Sequence, residues 1–388
     1  MIPYGKQEIT EADIEAVIEV LKSDFITQGP VVPAFEKAVA NYCGTDHSVA
    51  VNSATSALHI ACLALGVGIG DIVWTTPISF VASSNCALYC GATIDFVDID
   101  PKTYNLSTEL LEEKLEKAEK QGKLPKVVIP VHFTGQSCEM EKIHSLSKKY
   151  GFKIIEDASH AIGGRYQGSQ VGCCQYSDVT VFSFHPVKII TTAEGGMALT
   201  NSVDLFNKLI LLRSHGVTKD TQFMEASNVL PWYYEQIELG FNYRMTDIQA
   251  ALGLSQLNRL DKYVAQRHSL CKKYDEALAS LPLIIPQQNS ETYSGRHLYV
   301  IRLKIDQIHK SHTEVFEELR SKGIGVNLHY IPIHTQPYYQ KLGFENGDYP
   351  NAEQYYKEAL SLPLFPTINE DDFNSVIEAI KEVLIVPK

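Results

Sequence analysis

Residues 48–75 read SVAVNSATSALHIACLALGVGIGDIVWT. Ser48 to Val51 has the small and β-branched character of a short buried strand, the run from about Ser56 to Leu65 is long enough only for a helix, and Ile72 to Thr75 reads as a strand again. Strand, helix, strand in so short a space is a βαβ unit, and the pattern repeats downstream. A helix is expected over Ala82 to Cys90, a strand over Thr93 to Val97, a helix over Thr108 to Lys120 and a strand over Lys126 to Val131. Glu139 to Tyr150 reads as a helix closed by Gly151, followed by strands Phe152 to Glu156 and Val179 to Phe184. Such alternation predicts an α/β fold with a mostly parallel sheet covered on both faces, and a binding crevice outside the carboxyl ends of the strands.

Upstream, Glu11 to Ser23 carries apolar residues at helical spacing with Thr10 as N-cap, TQGP from Thr27 makes a turn, and Pro33 to Tyr42 is a second amphipathic helix ended by Gly44. Beyond Gly253 the texture changes. A polar helical stretch from Leu257 to Ala279 leads to a Pro-containing break at 281–286 and then a short α+β segment. At 388 residues the chain exceeds the size at which one core stops growing. A large domain over 10–253 and a smaller C-terminal domain over 254–388 are therefore expected.

With 34 basic against 46 acidic residues, net −12, the surface does not suit nucleic acid or an anionic membrane as main partner. A local phosphate site is compatible with that balance, because backbone N–H groups at a helix start suffice. The eight Cys show no CxxC pair and read as reduced; the 13 His show no HExxH or other tight ligand spacing, so no metal is expected. The N-terminus, MIPYGKQEIT, lacks a basic and then apolar leader, which makes the cytoplasm the expected location.

Three features fall at the carboxyl ends of expected strands. Asn52-Ser53-Ala54-Thr55-Ser56 turns a strand into a helix with small and hydroxylated residues, either an ordinary N-cap or a phosphate cradle. Asp157 follows a strand and either caps the next turn or holds a protonated heterocyclic nitrogen. Lys188, in Ser183-Phe184-His185-Pro186-Val187-Lys188, sits among Val187, Ile189 and Ile190 ahead of the Gly195-Gly196 pair. A lone Lys is ordinarily a solvated surface charge. An apolar setting instead lowers an ammonium pKa, so that a neutral amine can attack a carbonyl carbon and form an imine. A dinucleotide site is disfavoured: the first turn lacks GxGxxG, and Gly66-Val67-Gly68-Ile69-Gly70 follows a helix.

Taken together, NSATSAL from Asn52, TPISFVAS from Thr76, Glu156-Asp157-Ala158, SFHPVKIITTAEGG from Ser183, RSHG from Arg213 and FNYRMTDIQAALGLSQL from Phe241 resemble the DegT/StrS family of sugar-nucleotide aminotransferases. The resemblance covers nearly the whole chain. It implies an aspartate-aminotransferase-like fold of type I, pyridoxal phosphate (PLP) as cofactor, and a homodimer with shared active sites. Lys188 matches the Schiff-base lysine and Asp157 the partner of the pyridine nitrogen. Phe80 matches an aromatic ring over the cofactor, although core packing is its bland alternative. His160 matches the residue beside the ring hydroxyl. Thr55, Ser56 and Ser183 match phosphate contacts from the same subunit, and Asn242, otherwise a turn residue, matches one from the other subunit.

The same likeness implies a nucleotide-sugar site built by Tyr4 in the N-terminal residues 1–9, by Asp24, Phe25, Ile26 and Thr27, by Ala54, and by His329, Tyr330, Ile331 and Pro332. The implied reaction moves an amino group from glutamate to C4 of a UDP-4-keto-6-deoxy-N-acetylhexosamine, as in pseudaminic acid biosynthesis. Other UDP- or dTDP-keto-deoxy sugars are the alternative substrates. A PLP-dependent sugar dehydratase would carry His where Lys188 stands. His185 reads as a structural neighbour of Lys188, and Arg244 as either a phosphate contact or half of an interface ion pair.

Overall fold

The computed structural model describes residues 1–226 and 230–384; of the expected small-domain segment, 385–388 fall outside the described residues. A seven-stranded sheet holds the centre. Its strands are β1 (His47–Val51), β2 (Ile72–Thr75), β3 (Thr93–Phe96), β4 (Val127–Ile129), β5 (Lys153–Asp157), β6 (Val179–Ser183) and β7 (Gly196–Thr200), in the order β1-β7-β6-β5-β4-β2-β3. All neighbours run parallel except β7, which is antiparallel to both β1 and β6. The mostly parallel expectation holds, with β7 as the strand the sequence reading did not contain.

Helices cover both faces. On one side α3 (Ala54–Ala64), α4 (Ala82–Tyr89) and α7 (Val203–Arg213) bury Leu58, Ile60, Ala61, Cys86 and Leu209 against Val49, Val73 and Ile129. On the other, α2 (Val31–Cys43) packs Phe35 and Val39 with Phe182, Phe184, Met197 and Leu199, while α5 (Thr108–Gln121) and α6 (Met140–Tyr150) cover Trp74, Val128 and Ile154. Strands buried on two faces read as continuous apolar runs, which is why β1 and β4 lack alternation. Element ends agree with the sequence reading to within about two residues, the usual fraying.

Caps close the helices where expected. Gly44 ends α2 in the left-handed region at φ 72°, and Ser53 precedes α3, its Oγ accepting the Ser56 N–H at 3.1 Å. Ahead of α1 (Glu11–Lys22), Thr10 donates through its N–H to Asp13 Oδ2 at 2.9 Å.

The polar helical stretch is a single helix, α9 (Leu260–Leu278), and a helix that the sequence reading did not contain, α8 (Asp247–Leu257), precedes it across Asn258-Arg259. Leu260, Tyr263 and Val264 of α9 belong to the large core, whereas Cys271, Tyr274 and Leu278 belong to a second core with β8 (Leu283–Ile284), β9 (Tyr299–Leu303), β10 (Ala359–Leu362) and the helices His312–Ser321 and Glu370–Leu384. Residue 253 lies inside α8; we propose that α9 itself spans the division between the two units. The N-terminus crosses back: Ile2 and Pro3 pair in parallel with Ile324 and Gly325, seating the first residues on the second unit.

Candidate active site

Lys188 is placed by a hairpin. Because β6 and β7 pair with Ser183 opposite Gly196, residues 184–195 must close a loop at the carboxyl end of β6. Phe184 N–H donates to Gly195 O at 2.9 Å, Thr192 N–H and Thr191 Oγ1 both reach Phe184 O, and Lys188 N–H donates to His185 O at 2.9 Å. Phe184, Ile189 and Ile190 anchor the loop in the core. Lys188 is left facing a cavity of about 970 Å³. Burial lowers its ammonium to about 8, against the opposing pull of Asp157.

Asp157 ends the neighbouring strand β5. It is 4% exposed, Oδ2 accepts the Ser83 hydroxyl at 2.6 Å, and Oδ1 accepts the Ser159 N–H at 3.1 Å. No cation pairs with it among the described residues. Behind it, Glu156 accepts from His132 Nε2 at 2.6 Å, while the Cys138 N–H donates to His132 Nδ1 at 3.1 Å, which fixes a neutral Nε2–H tautomer. The third feature, Asn52 to Ser56, opens α3 towards the same cavity. Gly196 is required there: a Cβ would meet Ala54 N at 2.5 Å and Ser53 O at 2.6 Å.

The remaining wall comes from distant chain. Tyr4, Asn327, His329 and Tyr330 line the cavity, with the Tyr4 and His329 rings 5.0 Å apart. Tyr4 arrives through the Ile2–Pro3 strand and is held by the Leu364 N–H on its carbonyl at 2.9 Å. His329 Nδ1 meets Ser361 Oγ at 2.8 Å, and burial with nearby Lys188 lowers this imidazole to about 3, so it is neutral. His160 is likewise held far below its usual range by burial, then by Lys188 and His329; its Nε2 lies 3.3 Å from Tyr330 Oη and its Nδ1 has no partner.

One cavity thus gathers Tyr4, Ala54, Thr55, Ser56, Phe80, Asp157, His160, Ser183, Lys188, His329 and Tyr330. Phe80 is 60% exposed on its wall, so its ring is not spent on core packing. The structure does not bring Asp24, Phe25, Ile26, Thr27, Asn242, Ile331 or Pro332 into this chain's own cavity. Phe25 and Ile26 are exposed, Thr27 bridges to Thr246, and Asn242 pairs with Ser214. Ser79, Ser83, Ser159, Asn327 and His297 line the cavity or hold its residues without having been singled out from sequence. Ser79 and Ser83 lie within the TPISFVAS motif; for His297 the sequence carries no local signal. His185 also lines the cavity and holds Lys188 through its carbonyl.

The donor set suits PLP. A buried carboxylate without a cation matches a ring N–H, an amine lowered by burial matches an aldehyde carbon, and a helix start flanked by Ser53, Thr55 and Ser56 matches a phosphate. The model of the DegT/DnrJ/EryC1/StrS aminotransferase family matches residues 7–381. The chain belongs to this family. It is 39% identical to the spore coat polysaccharide biosynthesis protein SpsC of Bacillus subtilis, over 99% of the chain and 97% of the relative. It is also 39% identical to the UDP-4-amino-4,6-dideoxy-N-acetyl-beta-L-altrosamine transaminase of Campylobacter jejuni, covering 99% and 98%.

Among solved structures, Helicobacter pylori PseC, an aminotransferase of pseudoaminic acid biosynthesis, superposes with TM-score 0.89 at 32% identity, with 99% of each chain covered. A putative sugar aminotransferase of Streptococcus pneumoniae, Spr1654, solved in a PLP form, gives 0.87 at 30% identity over 98% of each chain. The protein is therefore a PLP-dependent sugar aminotransferase of type I fold. No described helix is long and apolar enough to cross a membrane.

Proposed function

We propose that this aminotransferase moves an amino group from glutamate to C4 of a UDP-4-keto-6-deoxy-N-acetylhexosamine, the L-altro sugar of pseudaminic acid biosynthesis, as a cytoplasmic homodimer with shared active sites. The observation that carries the reading is the single cavity in which Lys188, partly neutral through burial, and Asp157, a buried carboxylate lacking a cation, stand beside Tyr4, His329 and Tyr330. Its likeness to the C. jejuni transaminase and to PseC favours the L-altro substrate.

PLP, when bound, supplies an electrophilic carbon and an electron-withdrawing heterocycle. Asp157, oriented by Ser83 and Ser159, would accept the ring N–H, while Ser183 and the α3 start would hold the phosphate. His160 would stand at the ring hydroxyl and Phe80 at the ring face. Lys188 is the base: its Nζ would take the proton from the donor carbon that gives up its amino group and, in the second half of the cycle, deliver one to the sugar carbon that receives it, which an amine near neutrality does better than a full ammonium. Neutral His160, His329 and Tyr330 add no competing charge around it. Tyr4, Ala54, His329 and Tyr330 would meet the nucleotide sugar.

Two features support the dimer. Asn242, matched by resemblance to a phosphate contact, lies outside its own cavity, and Ile14, Ile18, Leu21, Phe25 and Ile26 expose an apolar stripe at the start of the chain that a partner would cover, with Asp24 and Thr27 beside it. Light scattering is expected to give twice the chain mass.

A visible spectrum tests the activity. The band of bound PLP is expected to bleach with glutamate and to return with UDP-4-keto-6-deoxy-N-acetyl-L-altrosamine, while Lys188→Ala does neither. Bleaching with return only on a different UDP- or dTDP-keto sugar would keep the chemistry and replace the substrate. Failure of wild type to form the band would overturn the reading.

A further inference from the structure

We propose that His297 is a positioning residue that holds His160 in one ring orientation at the cofactor site. The inference rests on the proposed placement of His160 beside the cofactor ring. His160 has weak ties of its own: one 3.3 Å contact from Nε2 to Tyr330 Oη, and none at Nδ1. Its orientation is therefore set by packing. The nearest ring is that of His297, 4.4 Å away between centroids, whereas Phe133 and Tyr330 stand at 5.9 and 6.2 Å.

His297 can serve as a fixed wall because its backbone is tied on both sides. Its N–H donates to Thr134 O at 2.8 Å, and its carbonyl accepts from Arg267 Nη1 at 3.2 Å. Arg267 is fully buried, and the same Nη1 also reaches Leu364 O at 2.9 Å. Close packing leaves no slack beneath: Gly135, at φ 107°, has no room for a Cβ, which would meet Arg296 N at 2.7 Å and His160 O at 2.9 Å. The His297 ring is 3% exposed, its Nδ1 has no partner, and it lines the cavity.

The pair also keeps His160 uncharged. The groups facing the two rings are Lys188, His329, Tyr330 and Arg267, with Asp157 across the cavity. Burial, followed by His160, Lys188 and Arg267, holds His297 far below the usual imidazole range, and two rings 4.4 Å apart cannot readily both charge. A neutral imidazole in one orientation can hydrogen-bond a phenolic oxygen without competing with Lys188 for protons. Loosening the ring would restore water, and with it the ability to charge.

The test follows the His160 ring by NMR in full-length apoprotein labelled at histidine Cε1, across roughly pH 5.5 to 9 where a free imidazole titrates. Wild type and His297→Phe, which keeps a flat ring, are expected to show no His160 titration; His297→Leu is expected to bring it into the window. In holoenzyme, the Leu variant is expected to shift the pH midpoint of the visible band and to lower kcat about tenfold, as misplacement of a site group does, with KM for the nucleotide sugar little changed. If the Leu variant does not fold, His297→Gln takes its place in both measurements.

Titration of His160 in wild type, or a folded Leu or Gln variant with unchanged His160 and unchanged band, overturns the proposal. The apoprotein measurement involves no cofactor, so failure there counts against His297 alone. Absence of the visible band in wild type counts instead against the proposed function.

Discussion

Removing one hydroxyl tests the site most sharply. Asp157 receives two hydrogen bonds, from the Ser159 N–H and from Ser83 Oγ at 2.6 Å, and Ser83 Oγ is in turn 2.6 Å from Ser79 Oγ. Ser79, Ser83 and Asp157 are buried, so water cannot easily replace the lost Ser83 donor. A hydrogen bond to a charged group contributes about 1.5–3 kcal/mol. Ser83→Ala should therefore weaken the orientation of the carboxylate by that amount, which corresponds to roughly a tenfold to hundredfold change. The loss should appear in the apparent Kd of PLP, titrated through its visible band, and in the rate of bleaching by glutamate. Ser79→Ala, acting only through Ser83, should cost less than Ser83→Ala in both. A folded Ser83→Ala protein that binds PLP and bleaches within about twofold of wild type would refute the reasoning, since a charged hydrogen bond in a buried site is not lost so cheaply.

Three further outcomes are expected. In apoprotein, the Lys188 ammonium gives up its proton as pH rises through about 8, so amine-directed labelling followed by peptide mass should level off near pH 9 instead of climbing towards the range of exposed lysines. Asp13 is buried, held by Arg259 Nη2 and by Gln256, and lowered to about 2; its stabilisation is present above the free carboxyl value near 4 and is lost as pH falls through the folded value. Asp13→Asn should therefore lose roughly 2–3 kcal/mol at neutral pH in urea unfolding, and the gap to wild type should close in acid. Gly196→Ala should push the start of α3 away from β7, because the new Cβ has backbone atoms at 2.5–2.6 Å; PLP affinity should fall by at least tenfold while the far-ultraviolet spectrum stays that of the folded protein.

What could be read from the sequence follows the range of the interactions involved. The three strand ends at Asn52, Asp157 and Ser183 to Lys188 were legible because each is a local event: an apolar run stops and a turn begins. The pattern of the family then set them in one site. Strand β7 was not legible, because GMALT follows a loop whose Gly pair reads as a turn, and neither Ala nor Met favours a strand. Helix α8 was missed because Gly253 in its middle reads as a boundary, whereas the Thr246 cap and the burial of Ala250, Ala251 and Gly253 sustain the helix through it.

His297, which the sequence did not signal, and Tyr4, which only the family resemblance placed, show why the wall of the site escapes local reading. Neither carries a motif, and each reaches the cavity because backbone elsewhere is tied down: His297 by Arg267 and Thr134, Tyr4 by the pairing of Ile2 with Ile324 and by the Leu364 N–H. Arg267 and Tyr4 are linked to the same residue from its two sides, since Leu364 offers its carbonyl to the guanidinium and its N–H to the Tyr4 carbonyl. The second unit therefore places both walls from one short stretch of backbone just after β10. On the division proposed at α9, the large unit supplies the reacting groups at its strand ends, and the small unit adds part of the wall around them. A change at Leu364 that altered only its side chain would leave both walls in place, whereas one that moved its backbone would shift His297 and Tyr4 together.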